Sequence, residues 1–328
     1  MIAEAIKKVV GKGDLSYDEA YAAMNEVMGG KTTSTQNAAY LAALSTKVAR
    51  AETIDEIFGT AEAMRGHALK VPTVKGEVLE LVGTGGGNPV TLSVSTAAAF
   101  IASAAGVKVA RHGNIAAECF EALGINVDLE PEKCVELLNE IGICFFLAPK
   151  YHPSMKYAGQ TRSYFGPSTV FNILGPLTNP ARPQLMILGV GEEYLLDPLA
   201  KVMSKLGVRS GLVVYGQDGL DSISTSAATS ICEVHDDSYR RYVIEPEDFD
   251  LRRAEKSDLD DFTPAVVRKI LDGAQGAKTD IVLLNAAAAI YVGRKAGTLA
   301  EGLDAARKII ESGAAKNRLE EFIALSKA

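Results

Sequence analysis

The stretch from Val78 to Asn114 constrains the fold of this chain more than any other segment. It opens with the apolar run Val78–Val82, which is typical of a buried strand and too short for a helix. The glycine-rich turn Gly83–Asn88 follows, and an alanine-rich segment is predicted to begin a helix at Ser95. A further apolar run, Val107–Ala110, predicts a second strand. The order of these segments indicates a βαβ-like unit.

The glycine-rich turn has the chemistry of a phosphate or pyrophosphate site. Glycines adopt positive φ and bring no Cβ between an anion and the backbone amides. A helix that begins at Ser95 would direct free N–H groups and a positive dipole end toward the same place. Arg111, at the tip of the next strand, would add a full positive charge. A plain tight turn is the alternative interpretation, since glycine clusters after strands are often only turns. The run lacks a Walker motif, which argues against a P-loop NTPase, and Pro89 breaks the spacing of a Rossmann fingerprint.

The composition is typical of a globular protein and argues against nucleic acid and membranes as partners. Its 328 residues suffice for one large or two medium domains, and 47% of them are hydrophobic. The net charge of −7 argues against general nucleic-acid binding, which requires a basic face. Without a long apolar stretch or a signal-peptide pattern, we expect no membrane association and a cytoplasmic location. The four cysteines lack metal-site spacing and are expected to be reduced core residues, at positions Cys119, Cys134, Cys144 and Cys232.

The pattern of periodicity divides the chain into two parts. Residues 1–70 contain only helical signals, including three capping boxes that begin at Ser16, Thr33 and Thr53. We therefore predict a small helical domain over 1–70, joined by parts of 165–185, and a larger domain over 71–328. In the larger domain short apolar runs alternate with helices, which predicts an α/β fold with a mostly parallel central sheet. The predicted strands are Val78–Val82, Val107–Ala110, Cys144–Leu147, Leu185–Val190, Leu212–Tyr215 and Tyr242–Ile244.

Six motifs in this order resemble those of the anthranilate phosphoribosyltransferase family, and the likeness extends over nearly the whole chain. They are Val82-Gly83-Thr84-Gly85-Gly86, Ser95-Thr96, Arg111-His112-Gly113-Asn114, Tyr151-His152-Pro153, the run Phe171–Pro180 and Gly219-Leu220-Asp221. The resemblance implies a homodimer formed through the N-terminal helices. It also implies a magnesium-dependent reaction of tryptophan biosynthesis, in which the 5-phosphoribosyl group of phosphoribosyl pyrophosphate (PRPP) moves to the amine of anthranilate.

The resemblance also implies a role for individual residues. On the donor side it makes backbone amides of the glycine turn contact PRPP, Thr96 a phosphate ligand, and Ser95 and Asp221 the Mg²⁺ ligands. Arg111 stands where the family usually has a lysine. The implied donor-binding residues are Gly83, Thr84, Gly85, Gly86, Asn88, Ser95, Thr96 and Arg111.

On the acceptor side, the resemblance implies that Asn114 and Arg162 hold anthranilate, and the planar fork of an arginine suits a carboxylate. Ala148, Pro149, His152 and His112 would shape the pocket. From the residues alone, a surface arginine on a helix is the favoured interpretation of Arg162. The two histidines are more typical of hydrogen-bonded structural residues than of catalytic bases.

The chain departs from the family pattern on the donor and metal side. Gly87 and Ser93 replace an acidic residue and an asparagine, and Ser222 replaces the second carboxylate of an Asp-Glu pair. Asn114 runs almost directly into Ile115, without the family's flexible serine-containing loop. Two hypotheses follow from these losses. The first is a working phosphoribosyltransferase, weakened at its donor site. The second is a catalytically inactive relative that retains a small aromatic ligand or a partner.

Overall fold

The structure is a computed structural model that describes residues 1–47, 53–84, 89–159 and 170–328. The N-terminal part is helical, as expected. Its four helices are α1 (Ile2–Val10), α2 (Tyr17–Met28), α3 (Ser34–Lys47) and α4 (Ile54–Gly66). All three predicted capping boxes are present: the Ser16 and Thr53 boxes begin α2 and α4, and Thr33 exchanges hydrogen bonds with Gln36 before α3. Each box satisfies backbone N–H groups that a helix N-terminus leaves without partners.

A seven-stranded sheet forms the centre of the larger part, in the order β3-β2-β1-β4-β5-β6-β7. The first five strands are parallel and the last two are antiparallel, so the predicted mostly parallel sheet is confirmed. The strands are β1 (Leu79–Gly83), β2 (Val109–Gly113), β3 (Ile143–Leu147), β4 (Leu185–Gly189), β5 (Ser210–Gly216), β6 (Thr229–His235) and β7 (Ser238–Ile244).

Ten α-helices of the described residues connect or follow these strands. They are α5 (Pro89–Ala104), α6 (Ile115–Ala122), α7 (Pro131–Glu140), α8 (Ala148–Tyr151), α9 (Val170–Leu177), α10 (Leu196–Lys205), α11 (Pro264–Leu271), α12 (Ala277–Val292), α13 (Leu299–Glu311) and α14 (Ala314–Leu325). Short 3₁₀ turns lie at Pro153–Met155, Glu193–Leu195, Pro246–Phe249 and Lys256–Leu259.

The two faces of the sheet belong to two hydrophobic cores. Along β4, Leu185 and Ile187 join a core that contains α5, α12 and the C-terminal helices. Met186 and Leu188 point to the opposite face and join a core shared with α1–α4, α9 and α10. This alternation follows from the two-residue period of a strand. The N-terminal helices therefore pack on one sheet face, while the carboxyl ends of the parallel strands stay open for a site.

Three sequence expectations require correction. The helix expected to begin at Ser95 begins at Pro89, directly after the glycine-rich turn, because proline fits the first helical position. The strand expected to stop at Ala110 continues to Gly113, so Arg111 lies inside β2 and not at its tip. Strand β6 is absent from the predicted strands, because its Thr and Ser content masks the apolar run.

The described residues contain no helix that is long and apolar enough to cross a membrane. All four cysteines are buried and free, as expected.

Candidate active site

A cavity of about 290 Å³ lies at the carboxyl edge of the sheet, between the ends of β1 and β2. Helices α5 and α9 form its side walls, and the segment after β5 contributes one carboxylate. Such an edge is where open α/β sheets bind ligands. The lining residues are Val82, Gly83, Thr84, Thr91, Leu92, Ser95, Arg111, His112, Gly113, Asn114, Ile115, Ala116, Ala148, Phe171, Asn172, Gly175, Pro176 and Asp221.

The cavity brings together eight of the residues expected from the sequence. They are Gly83, Thr84, Ser95, Arg111, His112, Asn114, Ala148 and Asp221. Three others that the structure describes, Thr96, Pro149 and His152, do not line it. Four more, Gly85, Gly86, Asn88 and Arg162, lie outside the described residues, as does Gly87.

Helix α5 explains the different placement of its two hydroxyl residues. Because the helix begins at Pro89, Ser95 and Thr96 lie in its second turn and not at its N-terminus. The Ser95 hydroxyl donates to the Leu92 carbonyl at 3.1 Å and still lines the cavity. Thr96 is fully buried, and its hydroxyl donates to the same carbonyl at 2.7 Å. The expected contact between Thr96 and a phosphate therefore has no support from its position.

Arg111 is the cationic group of the cavity wall. Its side chain is buried, 1% exposed, and its Nη2 donates to Ser95 Oγ at 3.1 Å. The Nη1 atom lies 3.6 Å from a carboxylate oxygen of Glu80, and among the described residues neither Nη1 nor Nε has a hydrogen-bond acceptor. Burial lowers the pKa of Arg111, and the Glu80 charge opposes that shift. A buried guanidinium with unused donors is suited to bind an anion.

The end of β1 is shaped by the approach of Asp221. Gly83 pairs with Gly189 of β4, and a Cβ on either glycine would overlap Asp221: its carboxylate at Gly83 and its backbone carbonyl at Gly189. Gly83 is therefore required for close packing of Asp221, a reason that the sequence did not reveal. The Thr84 amide donates to the Gly189 carbonyl at 2.9 Å. The expectation that the Thr84 amide contacts the donor is therefore wrong, because this amide is already hydrogen-bonded, and only the Thr84 side chain is available to a ligand.

Two histidines meet behind the acceptor side of the cavity. The Nε2 atoms of His112 and His152 lie 3.1 Å apart, so one ring must donate to the other. Burial lowers the pKa of His112 well below its ordinary value and that of His152 to about 4. Both rings are therefore neutral near pH 7, which agrees with a structural pair that shapes the pocket. Asn114 immediately precedes α6, so no loop separates it from Ile115.

The cavity suits one magnesium ion better than two. No group of three or more His, Cys, Asp or Glu side chains among the described residues could hold a metal ion. Asp221 supplies one carboxylate to the cavity, and Mg²⁺ is commonly held by one or two carboxylates together with waters and substrate phosphates. The Ser95 oxygen already accepts from Arg111, so this cation competes for the lone pair that a metal would use.

Helix α9 contributes residues that sequence reasoning did not assign to the site. Phe171, Asn172, Gly175 and Pro176 all line the cavity. The run Phe171–Pro180 is one of the motifs that carry the resemblance, and its Gly-Pro pair marks it as unusual. Its contact with β2 depends on tertiary packing, so the sequence did not connect it with a ligand.

The histidine pair predicts a loss of stability in mild acid. Because the pKa of His152 is lower in the folded protein than the ordinary 6.5, the unfolded chain takes up the proton first as the pH falls. The stability that neutral His152 contributes above pH 6.5 is thus lost toward pH 4. We expect His152→Gln to reduce the fall in unfolding free energy between about pH 7 and pH 4.5 by about 2 kcal/mol.

Urea denaturation at several pH values measures this difference. The matched control is His235→Gln, which removes a histidine whose side chain is 73% exposed and lies outside the buried pair. An equal effect of the two variants would contradict the assignment to the buried pair.

Two family models cover most of the chain. Residues 3–68 match the helical bundle domain of a glycosyl transferase family, and residues 75–316 match the a/b domain of the same family. The chain is 47% identical over 334 residues to an anthranilate phosphoribosyltransferase of Methanobrevibacter smithii, with 98% of each chain covered.

Solved structures agree with these matches. Anthranilate phosphoribosyltransferase from Thermus thermophilus superposes with a TM-score of 0.91 at 36% identity, covering 99% of both chains. The Saccharomyces cerevisiae protein in complex with PRPP and Mg gives a TM-score of 0.89 at 26% identity, covering 99% of this chain and 98% of that one. The same yeast protein in complex with 4-fluoroanthranilate gives 0.90 at 26% identity, covering 99% and 97%.

Proposed function

Because the chain belongs to the anthranilate phosphoribosyltransferase family, we propose that it transfers the 5-phosphoribosyl group of PRPP to the amine of anthranilate. This reaction would place it in tryptophan biosynthesis. One observation carries the proposal beyond the likeness. A single cavity at the carboxyl edge of the sheet holds a buried arginine with unused donors on one side and a carboxylate on the other. That pair matches an anionic donor accompanied by a cation.

The donor side would work by charge neutralisation. As pyrophosphate leaves, oxocarbenium character builds at C1 of the ribose and negative charge builds on the leaving oxygens. Arg111 faces this charge from a buried position, where electrostatic stabilisation is stronger than in water. Asp221 would hold Mg²⁺ together with the phosphate oxygens and waters, with Ser95 as a further candidate ligand. The ion would add charge neutralisation of the leaving group.

The acceptor side would work by positioning. Asn114, His112 and Ala148 line the cavity, and His152 contacts His112 from outside the lining. The amine nitrogen would form a bond to C1 as the bond between C1 and the pyrophosphate oxygen breaks. The amine then loses one proton to solvent. Holding the nitrogen in line behind C1 is the main contribution the protein can make to this step. Arg162 remains the proposed partner of the anthranilate carboxylate.

A steady-state assay tests the proposal directly. Purified protein, PRPP and Mg²⁺ should consume anthranilate, which is followed by the loss of its fluorescence, and chelation of Mg²⁺ should stop the reaction. Absence of turnover at high enzyme concentration, with the protein folded by circular dichroism, would overturn the proposal. It would favour the catalytically inactive relative instead. Titrating PRPP calorimetrically with and without Mg²⁺ then shows whether the donor site binds at all.

Asp221 supplies one carboxylate to the cavity, so we expect a second carboxylate beside it to strengthen Mg²⁺ binding. Ser222 follows Asp221, is 6% exposed, and donates to the Asn285 Oδ1 atom at 2.8 Å. We expect Ser222→Glu to lower the Mg²⁺ concentration at half-maximal rate on the order of tenfold, because ligand charge sets the affinity for a hard cation. The measurement is the rate as a function of Mg²⁺ at saturating PRPP.

Ser222→Gln serves as the control for this change, since it adds the same volume without the charge. A shift of equal size in both variants would show that side-chain volume, and not a new metal ligand, is responsible.

We further propose a homodimer formed through the N-terminal helices and a cytoplasmic location. Apolar side chains are exposed on this part of the molecule, with Val10 61% and Tyr21 36% exposed. Light scattering during size-exclusion chromatography tests for the dimer, and Val10→Lys is expected to weaken it because the lysine places a charge on this exposed apolar surface. The net charge of −7 agrees with small-molecule substrates and not with nucleic acid as a partner.

A further inference from the structure

Strands β1 and β2 are neighbours in the sheet, but their backbones pair over only a short length. Within the described strands, β1 and β2 pair at Leu79 and Val109 alone, whereas β1 and β4 pair over five consecutive residues. Backbone groups inside a sheet need hydrogen-bond partners, so a gap between neighbouring strands must be filled by other polar groups. This gap leads directly to the cavity, since Gly83 on one strand and Gly113 on the other both line it.

The side chain of Glu80 fills the gap. It is fully buried, and its Oε1 accepts from the Leu81 amide at 3.1 Å. Its Oε2 accepts from Asn179 Nδ2 at 2.5 Å, and the same nitrogen donates to the Ala110 carbonyl at 2.7 Å. Asn179 is fully buried as well, and its Oδ1 accepts from the Ala181 amide, which fixes the orientation of the side-chain amide. The two side chains thus replace the ladder between β1 and β2.

The hydrogen-bonding groups that contact the Glu80 carboxylate, within the part of the chain that the structure describes, are donors. The Leu81 amide, the His112 amide and Asn179 Nδ2 donate to it, and Arg111 Nη1 lies 3.6 Å away. An ionised carboxylate accepts from the two amides and from Asn179, and its charge attracts the Arg111 guanidinium. A protonated carboxyl or a carboxamide would instead direct a hydrogen toward another donor, which a buried network tolerates poorly. The geometry therefore fits the charged form of Glu80.

We propose that Glu80 is a positioning residue for the phosphoribosyl donor: clamped by Asn179, its carboxylate holds β1 and β2 apart and keeps the Arg111 guanidinium in the cavity wall. This inference rests on the proposed function of the same site. Glu80 does not line the cavity and so acts through Arg111 and the two strand ends. Its loss should weaken binding of PRPP more than binding of anthranilate, because Ala148 on α8 and the residues of α9 also form the acceptor side and lie outside β1 and β2.

The electrostatic surroundings of Glu80 agree with this role. Burial raises the pKa of Glu80 to about 7, while Arg111 and the hydrogen bonds oppose the shift. The titratable groups that interact with it are Arg111 on β2 and Cys144 on β3, and burial raises the pKa of this thiol well above its ordinary value. The clamp should therefore weaken as the pH falls through about 7, when Glu80 takes up a proton.

Glu80→Gln and Glu80→Asp test the proposal together. Calorimetric titration with PRPP and Mg²⁺ should give a dissociation constant raised on the order of tenfold in Glu80→Gln at about pH 8, because one charged, buried hydrogen-bond network is lost. The ratio of the PRPP dissociation constant of Glu80→Gln to that of the unmodified protein should approach one near about pH 6, because Glu80 of the unmodified protein is then protonated as well. The KM for anthranilate at saturating PRPP should change less than about twofold.

Glu80→Asp keeps both acceptor oxygens on a shorter side chain. It should recover part of the donor affinity and retain the pH dependence of the ratio, and it carries the test if Glu80→Gln does not fold. Unchanged PRPP affinity, or a loss shared equally between PRPP and anthranilate, would overturn the inference. Failure of the unmodified protein to consume anthranilate would instead count against the proposed function, so the two failures are distinguishable.

Discussion

Replacing Arg111 by methionine should reduce kcat/KM for PRPP on the order of a hundredfold or more, because it removes the buried cation that faces the leaving pyrophosphate. The Arg111 side chain is only 1% exposed, so water has little access to replace its charge. The variant should also be less stable by about 3–5 kcal/mol, since the Glu80 carboxylate is left buried without its counter-ion. The KM for anthranilate should change little.

Arg111→Lys is the matched control for charge. The resemblance places a lysine at this position in most of the family, and a lysine retains the cation although it loses the planar fork. We expect its kcat/KM for PRPP to remain within about tenfold of the unmodified protein. Kinetics are measured per folded molecule, with thermal unfolding of both variants as the reference for stability. Equal losses in the methionine and lysine variants would mean that Arg111 acts through its shape and not through its charge.

Replacing Gly189 by alanine should disrupt the metal side of the site and the fold around it. The new Cβ would overlap the backbone carbonyl of Asp221, which cannot rotate away as a flexible side chain can. The strand β4 is fixed by β1 and β5 on both sides, so the Asp221 segment must move. We expect a loss of about 3 kcal/mol or more in unfolding free energy, as for other overpacked core positions. The Mg²⁺ requirement at half-maximal rate should rise.

Gly191→Ala provides a nearby comparison. This glycine lies two residues beyond Gly189, its φ lies outside the left-handed region, and nothing surrounds the position of its missing Cβ within 4 Å. The variant should stay within about 0.5 kcal/mol of the unmodified protein and keep its Mg²⁺ dependence. Urea denaturation and a Mg²⁺ titration of the rate measure both variants. Similar behaviour of the two glycine variants would show that the Asp221 segment adapts without cost.

Features that depend on neighbouring residues were predicted from the sequence. The three capping boxes require groups only three residues apart, so the composition of each short segment determines them. The alternation of apolar runs and helices likewise indicated the α/β fold, because a parallel sheet requires helical crossovers between its strands. The resemblance, which depends on the order of several motifs, indicated the family and many of the cavity-lining residues.

Tertiary structure alone decided how those residues are used. Nothing in the sequence explains why Gly83 must be a glycine until Asp221 lies across it, or why Thr96 turns its hydroxyl to the Leu92 carbonyl. The sequence does not indicate a role for Glu80, because that role depends on a hydrogen bond with Asn179, 99 residues away. Hydrogen bonds and close contacts between distant segments have no local pattern, because they arise from packing after the elements have formed. For this reason the fold and the place of the donor cavity could be predicted from the sequence, whereas the roles of the buried charges depend on contacts that form only in the folded molecule.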